Sequence, residues 1–448
     1  MAAALVLTAL RHWLIKQQQA FIADFAAGSL KNWVLCVGNE AGDLDTLASS
    51  IGFSFFATLT SAVNASYKEQ HRNYIPVQQT KSIDFTLRAE NIQVLKLANL
   101  VDEHQEDLPL RELICADQLD FTKFTPYGAQ YALVDHNRIN SALFGNSAHV
   151  VAVIDHHQAE ANDTLYLSAT PRVIQVPTGS CASLVTNYFA SDLASHSIPP
   201  EMADMLLSAI ALDTGNFKLI AEDGKATESD LAAKQWLVPR SRFGLETTSV
   251  SLSGTSTGSL KDYSKQLAKI QKDVSKLSSA QLLLRDFKQS DMQGWSLGIS
   301  SVPTPLEAWV REKCAGDWSQ FLDALKQHAD EKKLDLACIL TSAFKPKNLV
   351  AAGAGADAPP PGRRLVLLAS GAHQDLISTL ITQEQQTFTS DPSLQLSPLT
   401  LNDPTTLDIW TTQHHASCYM FIVGNPSVSR KQVTPFLLKL MEKLGPKP

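Results

Sequence analysis

A chain of 448 residues is too long for one ordinary hydrophobic core, so it reads as two or more domains. Hydrophobic residues make up 44% and charged residues 19%, which excludes a disordered chain. A net charge of −7 excludes the broadly basic surface of a general nucleic-acid binder, although a polyanion can still be held where basic residues converge locally.

Residues 1–30 are expected to form an N-terminal helix that docks through Trp13, Leu14, Phe21 and Phe25. Leu5-Val6-Leu7 has no basic stretch before it, as a secretory signal would require. No run approaches the ~20 apolar residues of a spanning helix. The six cysteines (Cys36, Cys115, Cys181, Cys314, Cys338 and Cys418) include no close pair. Free thiols in a reducing compartment are the expectation, hence a cytoplasmic protein that does not bind a membrane.

From residue 33 onward, short apolar runs alternate with helical patterns, which predicts an α/β fold. Strands are predicted over Trp33–Val37, 74–77, 113–115, 131–134, 150–154 and 173–176. The run Val150-Val151-Ala152-Val153-Ile154 shows no polar alternation, as a strand covered on both faces would. Helices are predicted over 46–56 and 201–212 from three-and-four spacing of Leu47, Ile51 and Phe55, then Met202, Met205, Leu206 and Ile210.

Chemistry-bearing residues stand where these runs stop. After the first strand comes Gly38-Asn39-Glu40-Ala41-Gly42-Asp43-Leu44-Asp45. Asp43 and Asp45 can aim at two adjacent ions, with Asn39 a candidate to add an amide oxygen. Val134-Asp135-His136-Asn137 offers a carboxylate that can bridge both ions, and His136 as a neighbour of metal or substrate. Ile154-Asp155-His156-His157 offers His156 as a ligand, Asp155 as the acid that fixes its tautomer, and His157 as a donor toward substrate. Asp213 closes the helix over 201–212. Taken singly, each motif is an ordinary turn or cap. Together at strand ends, where open α/β sheets bind ligands, they point to hard divalent cations.

Downstream, 249–258 is small and polar and reads as a linker or mobile loop, followed by a lysine-rich helix over 260–277. A second α/β unit has strands predicted near 295–299, Leu336–Thr341, 365–368 and 419–423, interrupted by a surface insertion at 351–364. Thr434-Pro435 is read as the start of the last helix, leaving Arg430 and Lys431 in the loop before it. His414-His415 lacks a carboxylate cluster and is read as structural or surface. The expected division is a helix at 1–30, a metal-binding domain at 31–245, a linker and helix at 246–278, and a second domain at 279–448.

Asp43-x-Asp45, Val134-Asp135-His136-Asn137, Asp155-His156-His157 and the later Asp213 resemble, in order, the motifs of the DHH phosphoesterase superfamily. Leu284-Arg285-Asp286-Phe287-Lys288 and Ser429-Arg430-Lys431 resemble signatures of its DHHA2 branch, so the resemblance spans about residues 31–443. Gly38-Asn39-Glu40 is similar to eukaryotic exopolyphosphatases, whereas inorganic pyrophosphatases carry His at that position and prune-like proteins depart from Asp-His-His. The resemblance implies an N-terminal DHH domain with a mostly parallel sheet, a smaller DHHA2 domain, and an active site in the cleft between them.

It also implies two divalent cations, Mn²⁺ or Mg²⁺: Asp43 and Asp135 on one, Asp45, Asp135, His156 and Asp213 on the other, with Asn39 in question. Terminal phosphoanhydride bonds of inorganic polyphosphate would be cut by a hydroxide activated between the ions. Asp135 and His157 are implied as catalytic, and Lys288, Arg430, Lys431 and His136 as substrate-binding. The expected partner is inorganic polyphosphate, not nucleic acid, and the expected state is a monomer. The alternatives are a manganese-dependent inorganic pyrophosphatase, or a prune-like phosphodiesterase or interaction protein.

Overall fold

Six short apolar runs pair side by side into one parallel sheet: β1 (Trp33–Val37), β2 (Asn73–Gln78), β3 (Ile114–Cys115), β4 (Gln130–Val134), β5 (His149–Asp155) and β6 (Arg172–Ile174), in the order β3-β2-β1-β4-β5-β6. The coordinates are a computed structural model. It describes residues 9–63, 72–101, 112–159, 165–244, 250–252, 255–257, 259–343, 361–399 and 404–448, in two compact units, Met1–Lys272 and Asp273–Pro448.

Alternation along the strands decides the two faces of the first sheet. Val34, Cys36, Ala132, Val134, Ala152 and Ile154 pack into one core, and Trp33, Leu35, Val37, Tyr131, Leu133 and Val153 into the other. The first core is closed by α2 (Leu44–Val63), α4 (Cys181–Ala190) and α5 (Pro200–Asp213). A short helix, α3 (Ala89–Leu97), adds Val94 and Leu95 to it. The N-terminal helix α1 (Ala9–Ala26) reaches both cores, Leu10 and Leu14 entering one and Phe21 the other. Full burial of Phe21, Trp33 and Tyr131 contributes roughly 1.5–3 kcal/mol each.

The order matters more than the strands themselves. Winding reverses between β1 and β4, so the crevice beyond their carboxyl ends is where an open α/β sheet receives a ligand. The segments carrying Asn39, Asp43 and Asp135 leave the sheet at that point.

Beyond β6 lie α6 (Glu228–Leu237) and α7 (Leu260–Lys272). The segment 246–278 differs from the expected linker with helix. α7 stops at Lys272 and belongs to the first unit, with Tyr263 and Leu267 fully buried in its core. Its spaced apolar residues need a partner face, and the first unit supplies one. The stretch read as a linker or mobile loop at 249–258 contains an antiparallel pairing of β7 (Val250–Leu252) with β8 (Thr255–Thr257).

The second unit holds a mixed sheet: β9 (Phe287–Met292), β10 (Trp295–Val302), β11 (Leu336–Thr341), β12 (Arg363–Ala369), β13 (Leu396–Pro398) and β14 (Ser417–Val423), ordered β13-β14-β12-β11-β10-β9. Only β10 and β11 run parallel. β9 had no apolar run to announce it, because an edge strand with Lys288, Gln289, Ser290 and Asp291 is polar. Most of the insertion expected at 351–364 lies outside the described residues.

The last helix, α8 (Arg430–Glu442), starts earlier than Thr434-Pro435 suggested. Ser429 caps it in a box with Gln432, and Pro435 sits inside it. Arg430 and Lys431 therefore occupy a first helical turn and not a loop. His414 stacks on Trp410 at 4.5 Å, consistent with a structural surface role. All six cysteines are free, five of them buried. Among the described residues no helix is long and apolar enough to cross a membrane.

Candidate metal centre

Asp135 is the hub. It follows β4 with φ +62°, a left-handed conformation that costs a non-glycine residue about 1 kcal/mol or more and recurs at functional sites. Its carboxylate is 2% exposed. Oδ2 accepts from Thr46 Oγ1 at 2.6 Å and Asn39 Nδ2 at 2.7 Å. Oδ1 lies 3.2 Å from His156 Nε2 and 3.6 Å from His157 Nδ1. Burial would raise Asp135, but the His156 hydrogen bond, the two imidazoles and Thr46 hold it well below the usual carboxylate range.

Asn39 differs from the ligand first considered. Its amide oxygen accepts from Ala41 N at 2.9 Å, and its nitrogen faces Asp135. An N–H donor cannot bind a cation, so Asn39 orients the carboxylate. Thr46, which the sequence reading missed, donates to the same Asp135 oxygen. A Cβ on Gly38 would come within 2.2 Å of Thr46 Cγ2, so that approach requires glycine.

Asp43 accepts from Thr46 N at 3.0 Å and so caps α2. Asp45, in the first turn of the same helix, is 3% exposed and faces the N-terminus of α4. It accepts from Cys181 N at 2.6 Å, Ala182 N at 2.8 Å and Ser49 Oγ at 3.1 Å. A helix N-terminus favours an anion. Even so, burial and the Asp135 charge push Asp45 up to about 7.

The two histidines are oriented by different partners, which corrects one expectation. Asp155 does not fix His156: its Oδ1 accepts from His157 Nδ1 and from His156 N, both at 2.8 Å, while Oδ2 takes Asn137 Nδ2 at 2.8 Å. His156 instead donates from Nδ1 to the Thr178 carbonyl at 3.1 Å. That leaves His156 Nε2 toward Asp135 and 3.8 Å from Asp45 Oδ2. Burial alone would hold His156 low, but Asp135, Asp45 and Asp213 outweigh it and push it up to about 10.

Asp213 ends α5, where the helix dipole disfavours an anion. Its Oδ2 is buried with no hydrogen-bond partner. Burial, Asp45 and Asp43 raise its pKa well above the usual carboxylate range. A nearby cation would offset all of these costs, so the donor set of Asp43, Asp45, Asp135, His156 and Asp213 fits a hard divalent ion. Asp135, His156 and His157 already bring one donor atom each within 4.8 Å of one another.

His136 donates from Nδ1 to the Val134 carbonyl at 2.9 Å, and its Nε2 is buried without a hydrogen-bond partner. Burial holds it below the usual imidazole range. A neutral Nε2 is an acceptor, not a cation for phosphate.

In the second unit the two sequence signatures meet. Arg430 donates from Nη1 to the Asp286 carbonyl at 2.9 Å and pairs through Nη2 with its carboxylate at 3.0 Å. Lys288 follows two residues later on β9, and Lys431 is exposed in the first turn of α8. The Arg430 fork is thus partly engaged within the protein.

Comparison with known proteins agrees with this architecture. The model of the DHH family, N-terminal domain, matches residues 33–210, and that of the DHHA2 domain matches 265–440. A Schizosaccharomyces pombe protein named "Putative exopolyphosphatase" is 25% identical over 423 residues, covering 92% of this chain and 91% of its own. The exopolyphosphatase PRUNE1 of Rattus norvegicus is 26% identical over 405 residues, or 90% of this chain and 74% of its own. A manganese-dependent inorganic pyrophosphatase of Methanocaldococcus jannaschii is 25% identical over 185 residues, 39% of this chain and 52% of its own. In fold, the chain is similar to the crystal structure titled "Methanococcus jannaschii putative family II inorganic pyrophosphatase", with a TM-score of 0.51, 18% identity, and coverage of 92% of this chain and 99% of that one.

Proposed function

This chain belongs to the DHH family and carries its DHHA2 domain, and from that premise we propose that it is an exopolyphosphatase, releasing orthophosphate from the ends of inorganic polyphosphate. The observation that carries the reading is the buried carboxylate cluster around His156, with the orphaned Asp213 Oδ2 among it. Two divalent cations would be held there, Asp45, Asp135, His156 and Asp213 serving one and Asp43 and Asp135 the other. When bound, they supply Lewis acidity toward a phosphoryl oxygen and lower the pKa of water. The manganese-dependent pyrophosphatase relatives support Mn²⁺.

The protein's own groups do the rest. Asn39 and Thr46 hold Asp135 in place; Asp155 and Asn137 set the ring of His157, which steadies charge on the attacked phosphate. His136, held neutral by burial, would contribute to substrate binding by hydrogen bonding and not as a cation. Lys288, Arg430 and Lys431 bind phosphates along the chain. Polyphosphate is favoured over pyrophosphate because, in sequence, the relatives named exopolyphosphatase align with about nine-tenths of this chain and the pyrophosphatases with under two-fifths.

The test compares kcat/KM with Mn²⁺ on long polyphosphate and on pyrophosphate. Remote phosphate contacts should favour the long chain by roughly tenfold or more, since binding energy from non-reacting parts of a substrate accelerates its reaction. A preference for pyrophosphate would make the protein a pyrophosphatase. Hydrolysis of neither would leave a prune-like interaction protein.

The basic residues of the second unit make a separate expectation. Lys431→Ala and Arg430→Ala should each raise KM for long polyphosphate several-fold, with metal content unchanged. Affinity for a polyanion falls with salt through counterion release, and removing one contact should make that slope shallower by about one. Arg430→Ala should stay folded, because a partly exposed pair such as Arg430–Asp286 contributes only about 0–1 kcal/mol. Unchanged KM and salt slope in both variants would reduce the pair to a helix-capping turn.

A further inference from the structure

Asp230 lies on α6, is fully buried, and touches none of the carboxylates described above. It completes the capping box of that helix by accepting from Thr227 N at 2.7 Å and Thr227 Oγ1 at 2.8 Å. A capping acid needs nothing more. Yet its carboxylate also accepts Gly179 N at 3.0 Å, Ser180 N at 3.3 Å and Ser183 Oγ at 2.7 Å, from residues 47 to 51 positions away. Such a concentration of long-range donors on one buried anion is expensive to arrange for a cap alone.

The two backbone contacts lead straight to the site. The Gly179 N–H held by Asp230 and the Thr178 carbonyl held by His156 Nδ1 belong to one peptide plane. Fixing the N–H end fixes where the carbonyl end aims. The next two amides in sequence, Cys181 N and Ala182 N, hold Asp45. Four consecutive N–H groups at the start of α4 are therefore divided between two carboxylates, Asp230 behind and Asp45 in front. The spacing tolerates no side chain at the junction: a Cβ on Gly179 would lie 2.4 Å from Thr214 Cγ2 and 2.9 Å from Asp230 Oδ2.

We propose that Asp230 is a positioning residue for the metal centre, setting the orientation of His156 and Asp45 together through the Thr178–Ala182 backbone. The proposal rests on the reading of the site as a divalent-cation centre. Asp230 acts without touching ion or substrate. Outer partners of this kind typically affect metal affinity by about 10- to 100-fold.

The test is Asp230→Asn in the full chain. The substitution keeps the shape but turns an NH₂ against either the Gly179 and Thr227 donors or the Ser180 and Ser183 donors. Two quantities are measured: Mn²⁺ affinity by titration calorimetry, and backbone hydrogen exchange of residues 178–182 in protein stripped of metal. Asn187→Ala is the control. It removes the contact of Asn187 Nδ2 with the Ser229 carbonyl at 2.9 Å, loosening the same two helices without touching the 178–182 backbone.

The expected result is a 10- to 100-fold weaker Mn²⁺ complex and faster exchange at 178–182 in Asp230→Asn. The control should lower Tm but bind Mn²⁺ normally. Native Mn²⁺ affinity in folded Asp230→Asn, or equal weakening in a control of matched Tm, would overturn the proposal. Should Asp230→Asn fail to fold, Gly179→Ala carries the same test from the other side of the contact, with the same expected weakening. Failure of the unvaried chain to bind Mn²⁺ would overturn the site reading, and the positioning role with it.

Discussion

Asp135→Ala should abolish phosphate release, lowering kcat by about 10³-fold or more, which corresponds to roughly 4 kcal/mol of barrier. The expectation comes from what meets at one carboxylate. Its Oδ1 faces both histidines, and its Oδ2 is held by Asn39 and Thr46, so four of the neighbouring side chains converge on it. Removing it takes a proposed ligand from the centre and leaves the buried Thr46 hydroxyl without its acceptor, at a cost of about 1–3 kcal/mol, while Asn39 keeps only the residue 135 carbonyl. The measurements are kcat on long polyphosphate and bound Mn²⁺ per chain. Both should fall, while helical content remains. Activity of a few per cent with native metal content would remove Asp135 from the bridging role.

His157→Ala should fall differently, with kcat down about 10²- to 10⁴-fold, the range for a positioned proton-transfer group, and metal content nearly native. The split follows from how the rings are held. His156 Nε2 lies between Asp135 and Asp45, with its other nitrogen on the Thr178 carbonyl. His157 has its Nδ1 taken by Asp155 at 2.8 Å, and its side chain is 29% exposed, against 13% for His156. The more exposed ring is the one available to substrate. Loss of one metal per chain in His157→Ala, with a normal complement in His156→Ala, would reverse the two assignments.

The sequence carried the parts of this centre that depend on local pattern. Apolar runs ending at Val37, Val134 and Ile154 located the strands, and the polar and charged residues after each run marked the candidate site. The pairing order that sets β1 beside β4 was not legible, because parallel pairing is decided by contacts far apart in the chain. Nor were the partners that orient the ligands. Asp155 stands beside His156 in sequence but bonds His157, since the backbone turns after β5, and the Thr178 carbonyl comes from a loop beyond β6.

The orientation of Asn39 was not legible for a related reason. Residue type offers both an amide oxygen and an amide nitrogen, and only the neighbouring Ala41 N–H decides which one faces the cluster. At α8, Thr434-Pro435 was the louder helix-start signal, but the Ser429–Gln432 capping box prevailed and Pro435 was accommodated inside the helix. α7 was read as a lysine-rich helix between the two domains because its charged face dominates its composition. Its buried face, with Tyr263 and Leu267, acquires meaning only against the first unit.

Metal dependence at the Asp135–His156 cluster is open to one direct measurement. The chain is stripped with a chelator, and Mn²⁺ is added back stepwise while bound metal and orthophosphate release from long polyphosphate are followed in the same samples. The prediction is no release from the stripped protein, and recovery that tracks occupancy up to two ions per chain. Phosphate release that persists without metal, or Mn²⁺ that binds fully without restoring release, would contradict it.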